Sequence, residues 1–409
     1  MNPKQLLAVL PAASAALVLA LSSPAIAQDK PLLVTLTGQS MIRSDMRATA
    51  PAEVPVIRSL IKGDVAFTNF EAVVAEKGEA VQQGRGFLAP PEALDALTAS
   101  GFNLLSLSNN HAFDLGVAGL QNTLRETASR NIVHAGTGNT MADAAAPAYL
   151  HTPNGTVALV ASASGLIRQG GHAAASQPGV NELRIEAGAT QNEATDELPA
   201  QPANKVNPED SERVLQNIRA ARVHADLVIV YQHNHVFSHR PFSAIFEEGL
   251  PERLVPPDWL KQWTHAEIDA GADIVVMHGA PLLHGVEIYR GKPIFYDLGN
   301  FIYNLPPAIT YIDEPINWES VVAYLQYRGK TLQSITLQPI ALNTIGEGVP
   351  DVHDEHTNNQ FLDTRGLPLP ATGRKAADIL QRVADASKPF GTKMVVTGDT
   401  AEIRLTDGK

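Results

Sequence analysis

The run Gly101-Phe102-Asn103-Leu104-Leu105-Ser106-Leu107-Ser108-Asn109-Asn110-His111-Ala112-Phe113-Asp114-Leu115-Gly116 carries the plan of the whole chain. Gly101 closes a helix pattern that opens at Pro91, as glycine does after a last helical turn. Residues 102–107 are mostly apolar and short enough for a buried strand, and they run almost directly into Asn109-Asn110-His111. A second helix pattern follows at 117–130. Helix, strand, polar tip and helix make the repeating unit of a largely parallel sheet. Open sheets of that kind bind ligands just beyond the carboxyl ends of their strands.

The same construction recurs on both sides. Apolar, β-branched runs at 32–37, 64–70, 157–161, 226–231 and 273–277 are interspersed with helical patterns at 53–61, 91–100, 210–223 and 257–270. Four more polar tips belong to these runs: Thr37-Gly38-Gln39-Ser40, Asn69-Phe70-Glu71, Tyr231-Gln232-His233-Asn234-His235 and Met277-His278-Gly279-Ala280-Pro281-Leu282-Leu283-His284. Beyond His284 the pattern changes. Residues 286–289, 294–296, 321–327 and 332–342 read as strands without helices between them. They are expected to be antiparallel and to make a second sheet stacked on the first. The expected fold is therefore α/β, a four-layer α/β/β/α sandwich. It carries a C-terminal extension over 345–409, with a helix at 376–386 and a strand or two at 393–405. Residues 165–207, rich in Ala, Gln, Asn, Gly and Pro, read as an irregular insertion or a lid.

The start of the chain reads differently. Lys4, an apolar run at 6–21 and Ala25-Ile26-Ala27 have the form of a secretory signal peptide over 1–27. The run is short for a spanning helix, which needs about 20 residues. Residues 28–409 are thus expected to form one domain, periplasmic or secreted, with no stable membrane anchor after processing. The chain has no cysteine, which excludes disulfides, thiolate metal ligands and a cysteine nucleophile. A formal net charge of −12 argues against nucleic acid or an anionic membrane surface as partner.

Gln39, Glu71, Asn110, His111, His233 and His278 all stand at strand ends. One histidine in such a place is ordinarily a packed or hydrogen-bonded residue. Five such tips together, in a chain without cysteine, are more than packing produces. Neutral imidazole with amide or carboxylate oxygen suits a divalent ion such as Zn, Mn or Fe. An ion of that kind lowers the pKa of bound water. An imidazole outside the ligand set can then act as general acid to a leaving group.

Three segments carry a resemblance: 63–71 (Gly63-Asp64-Val65-Ala66-Phe67-Thr68-Asn69-Phe70-Glu71), the 101–116 run, and 271–301 with Tyr296-Asp297-Leu298-Gly299-Asn300-Phe301 at its end. On these, and in the same order over 32–405, the chain resembles the CapA family. These are capsule or poly-γ-glutamate synthesis-type proteins of the calcineurin-like metallophosphatase superfamily. The resemblance implies a metallophosphatase-like fold. It implies that Asn110, His233 and His278 ligate one metal, that Glu71 is a bridging carboxylate with Asn69 beside it, and that His111 faces the reacting group. Gln39, Asn69 and Asn300 become candidates for holding substrate; for Asn300 a structural loop bond is an equal alternative. Asp114 either orients His111 or caps the following helix. The cap is the expectation, since Asp readily accepts backbone N–H bonds there.

Two departures from the family pattern strike one place. The first family motif is Gly-Asp, and here it is Gly38-Gln39. The last motif ends in a second histidine, and here that position is Pro281. Both missing groups belong to the first of two metals. Three readings follow: one metal per chain, a first site rebuilt from His235 and His284, or no catalytic metal. The first is the expectation, with His235 and His284 joining His111 in acid–base work. It makes the chain a metal-dependent hydrolase of the cell envelope, acting on an amide or ester in a peptide-like or polymeric substrate and linked to envelope-polymer synthesis machinery. The alternatives are a non-catalytic factor in polymer export or assembly, and metal-assisted proton abstraction next to a carbonyl.

Overall fold

A computed structural model describes residues 30–76, 86–186, 204–237, 253–305, 314–347 and 360–405. The expected leader over 1–27, residues 187–203 of the irregular stretch and residues 348–359 of the expected extension lie outside the described residues. Runs alternating with helices give parallel strands. Leu32–Leu36, Val65–Asn69, Leu104–Ser106 and Val133–Ala135 lie side by side and parallel. Gly155–Ser164, Leu227–Asn234, Ile274–His278 and Lys292–Phe295 do the same in a second sheet. Ala148–Thr152 and Val286–Tyr289 flank that second sheet antiparallel.

The division of strands between sheets differs from the expectation. The long hairpin Glu319–Arg328 with Thr331–Leu342 pairs with Leu32–Leu36 and so extends the first sheet. It covers an edge that would otherwise expose unpaired ladder groups. The mid-chain strands make the second sheet by themselves, and Leu227–Asn234 is buried at every position, as a central parallel strand must be.

Side-chain alternation then sets the layers. Leu227, Ile229 and Tyr231 pack against Val34, Leu36 and Phe67 of the facing sheet. Val228 and Val230, pointing the other way, pack on Ile218, Trp259 and Trp263 of helices Pro208–His224 and Asp258–Ala270. On the far side of the first sheet, Ala66 and Leu105 pack on Ile57, Leu60, Leu94 and Leu97 of helices Val54–Leu60 and Glu92–Ser100. The result is helix, sheet, sheet, helix. Burying each large apolar side chain between layers stabilises the fold by about 1.5–3 kcal/mol.

The C-terminal extension belongs to this core. Helix Gly373–Ser387 lays Ala376, Ile379, Leu380 and Val383 into the inter-sheet cluster, a spacing that puts all four on one face. The hairpin Met394–Thr397 with Thr400–Ile403 adds to the edge of Thr331–Leu342. The first part of the irregular stretch is also folded in: Val180, Asn181 and Leu183 are buried, and Asn181 Nδ2 donates to the Ala161 carbonyl at 2.8 Å. Among the described residues no helix is long and apolar enough to cross a membrane.

Candidate metal and acid–base site

Strand periodicity aims the polar tips at one another. Residues 227, 229 and 231 face the other sheet, so His233 does too, and His235 follows two residues on. His278 is the register partner of His233 on the neighbouring parallel strand. Across the gap, Val65 and Phe67 face inward, which puts Asn69 and then Glu71 on the same side. Asn110 opens a short 3-10 turn, Asn110–Phe113, capped by Asn109, whose Oδ1 accepts from the His111 amide at 3.0 Å. Two glycines allow the close approach. A Cβ on Gly38 would lie 2.4 Å from the Gly299 carbonyl oxygen, and one on Gly279, at φ +124°, 2.1 Å from that of Asn234.

The centre is His233. Its Nε2 lies 2.9 Å from Asn110 Oδ1, 2.9 Å from His235 Nε2 and 3.5 Å from Glu71 Oε1. Its Nδ1 meets the Tyr231 hydroxyl at 3.2 Å, which orients the ring. Ligand atoms of Glu71, His233 and His235 all lie within 4.8 Å of one another, and all three residues are buried. Burial first, and then the neighbouring His235, His278 and His111, push the His233 pKa well down. Burial pushes His235 down to about 3, reinforced by His111. Burial also raises Glu71 to about 7, with Asp114 adding to the rise and His111 opposing it. Neutral imidazoles therefore face an amide oxygen and a carboxylate with too few protons for every contact, and Glu71 Oε2 has no hydrogen-bond partner among the described residues. The donor set fits a divalent ion. Atoms 2.0–2.1 Å from a tetrahedral ion are roughly 3.3 Å from each other, close to the separations present.

Beside it stands a hydrogen-bonded histidine–aspartate pair. His111 Nδ1 donates to Asp114 Oδ2 at 2.7 Å, so Nε2 is the ring nitrogen outside that pair. Burial opposes the charged imidazole, but the hydrogen bond and charge of Asp114 outweigh it, and the His111 pKa is raised. Asp114 is itself pinned: Oδ2 accepts from the Phe87 amide at 2.7 Å and Oδ1 from Arg168 Nε at 2.6 Å. The Phe87 ring, 6.0 Å from that of His111, forms an apolar wall.

The structure gathers Glu71, Asn110, His233 and His235 and sets Asn69, His111 and His278 around them. His278 turns its Nε2 to the Thr37 carbonyl at 3.0 Å, and burial pushes its pKa down to about 3. His235, expected in acid–base work, has its Nε2 in the donor cluster instead. His284 stands apart, donating through Nε2 to the Arg253 carbonyl. Asn300 is engaged in loop bonds, accepting from Gln39 Nε2 at 2.9 Å and donating to the Asn317 carbonyl at 2.9 Å. Asp114 does not cap the following helix, whose N-cap is Leu115; its carboxylate is spent on His111, Phe87 and Arg168. Sequence reading missed Tyr231, Arg168 and Asp297, which accepts from the Ala280 and Gly299 amides at 2.8 and 2.7 Å and clamps the 279–284 loop. Two of them left a signal: Tyr231 precedes His233 by two on the same strand face, and Asp297 lies in the 296–301 segment that carries the resemblance.

Fold and centre together define a class: a four-layer α/β/β/α protein with a buried imidazole–carboxylate cluster between its sheets. Residues 34–305, which hold all of these groups, match the family described as bacterial capsule synthesis protein PGA_cap, and the chain belongs to that family. The uncharacterized protein y4sH of Sinorhizobium fredii is 28% identical over 87% of this chain and 89% of its own length. The PGA biosynthesis protein CapA of Bacillus subtilis is 30% identical over 52% of this chain and 46% of its own. A probable polyglutamine synthesis accessory protein of Mycobacterium tuberculosis is 28% identical over 58% of this chain and 55% of its own.

Proposed function

We propose that the chain is a metal-dependent hydrolase of the cell envelope that cleaves an amide or ester in a peptide-like, poly-γ-glutamate-like polymer. The observation that carries the reading is the convergence of Glu71, His233 and His235 within 4.8 Å beside an Asp-held histidine. Glu71, Asn110, His233 and His235 would hold one divalent ion, with His278 in reserve on the next strand. When bound, such an ion supplies Lewis acidity for polarising a carbonyl and activating water. The chain's own residues do the rest. Asp114 fixes His111 with its proton on Nδ1 and keeps the imidazolium accessible near neutral pH. His111 then gives the Nε2 proton to the leaving amine or alkoxide. Tyr231 keeps the His233 ring in place. The signal-peptide form of 1–27 supports a periplasmic or secreted setting, and the capsule-synthesis family supports an envelope polymer as substrate.

Metal analysis by mass spectrometry tests this. Purified protein supplied with Zn²⁺, Mn²⁺ or Fe²⁺ is expected to hold about one ion per chain. His233→Ala should lose nearly all of it, because too few protein ligands remain. His111→Ala should keep the ion and lose turnover by roughly 10²–10⁴-fold. Wild-type protein that binds no ion under these conditions would overturn the hydrolase reading in favour of a non-catalytic assembly factor.

A further inference from the structure

Two buried amides near the cluster have orientations fixed by backbone groups, which cannot flip. Asn300 Nδ2 donates to the carbonyls of Asn317 at 2.9 Å and Pro281 at 3.4 Å, so its Oδ1 is the acceptor. That oxygen accepts from Gln39 Nε2 at 2.9 Å. Gln39 Oε1 is therefore an acceptor, buried and without a partner among the described residues. In the second chain, Asn109 Nδ2 donates to the Phe70 carbonyl at 2.8 Å while its Oδ1 accepts from the His111 amide. The same Nδ2 donates to Asn69 Oδ1 at 3.2 Å. Asn69 Nδ2 is therefore a donor, also buried and without a partner among the described residues.

The two free atoms belong to neighbouring strands. Ser40 bridges to Phe70, and the Glu71 amide donates to the Ser40 carbonyl at 3.1 Å. Gln39 and Asn69 thus each stand one residue before a paired position, next to Glu71. One neutral acceptor and one neutral donor are held there out of water. A buried polar atom left unmet costs stability, so the site favours a ligand that meets both. A phosphoryl or carboxylate group offers only acceptors and would turn lone pairs toward Gln39 Oε1. A secondary amide offers one N–H and one carbonyl.

We propose that Gln39 and Asn69 are specificity residues that read a secondary amide of the substrate, Gln39 Oε1 accepting its N–H and Asn69 Nδ2 donating to its carbonyl. This deepens the hydrolase reading by choosing amide over ester and phosphoester. The probes are a γ-linked glutamate trimer and the isostere whose amide N–H groups are replaced by ester oxygens. Binding of each is measured by calorimetry to the full chain carrying His111→Ala, which prevents turnover. The amide trimer should bind about tenfold more tightly than the ester. Adding Gln39→Met should bring the two within about twofold, while Asn69→Leu should weaken both alike, since both keep the carbonyl. Equal binding of the two probes, or binding of neither at millimolar concentration, overturns the proposal. If Gln39→Met does not fold, the comparison of probes on the unaltered pair still decides. An amide preference in this variant, with neither bound metal nor turnover in the protein that keeps His111, would instead sink the hydrolase reading and leave this one standing.

Discussion

At the scale of single residues, the site depends on groups that could not be chosen freely. Gly279 adopts φ +124° with the Asn234 carbonyl where a Cβ would go. Backbone cannot yield there as a flexible side chain would, so Gly279→Ala should lower the melting temperature sharply and, on the proposed function, weaken metal uptake. Gly291, at φ +74° but facing open space, is the control: alanine there should cost only about 1–2 kcal/mol and leave metal content unchanged. Equal losses in the two variants would mean that crowding at Gly279 is not what holds the loop. Asp114 offers a second test. Because its carboxylate raises the His111 pKa, Asp114→Asn should lower that pKa, and imidazole NMR titration reads the change. The His111–Asp114 bond also stabilises the fold. Its contribution is full below the ordinary histidine pKa and is lost as pH rises through the raised one.

Elements carry their own commitments, and helix Asp258–Ala270 carries an unusual one. Glu267 lies on its buried face one turn after Trp263. Burial raises its carboxyl to about 8, and Trp263 only partly opposes this. The native state therefore keeps a proton that the unfolded chain has lost between the model carboxyl value of 4.5 and about 8. Stability must fall as pH rises through that window, by up to about 1.4 kcal/mol per unit. Glu267→Gln removes the titration. Urea midpoints at pH 5 and pH 8 should show the variant gaining on the wild type at the higher pH, and parallel behaviour would refute the assignment. Strands commit differently. Their period of two was legible in 227–235, and it alone places Tyr231, His233 and His235 on one face.

Across the whole molecule, the C-terminal extension is structural rather than appended. Ile379 is fully buried in the cluster that joins both sheets. Ile379→Ala should cost about 2–5 kcal/mol, measured by denaturant unfolding. Removing 360–409 should unfold the whole domain, because it takes away helix Gly373–Ser387 and the edge hairpin together. A truncated protein that keeps a cooperative unfolding transition would show the extension to be separable.

The sequence by itself determined the four layers and the gathering of polar groups at strand tips. Hydrophobic periodicity is local, and parallel strands must send their carboxyl ends to one side of a sheet. It also marked Gln39 and Pro281 as departures. Which sheet takes the hairpin Glu319–Arg328 and Thr331–Leu342 was decided only by the fold, because pairing is a competition between open edges that no single segment records. The tertiary structure alone also assigned His235 to the donor cluster, His284 to the Arg253 carbonyl and Asp114 to His111 rather than to a helix cap. Each of these side chains had several chemically adequate partners in the sequence. Burial left each with the partner that the packed layers brought within hydrogen-bond reach.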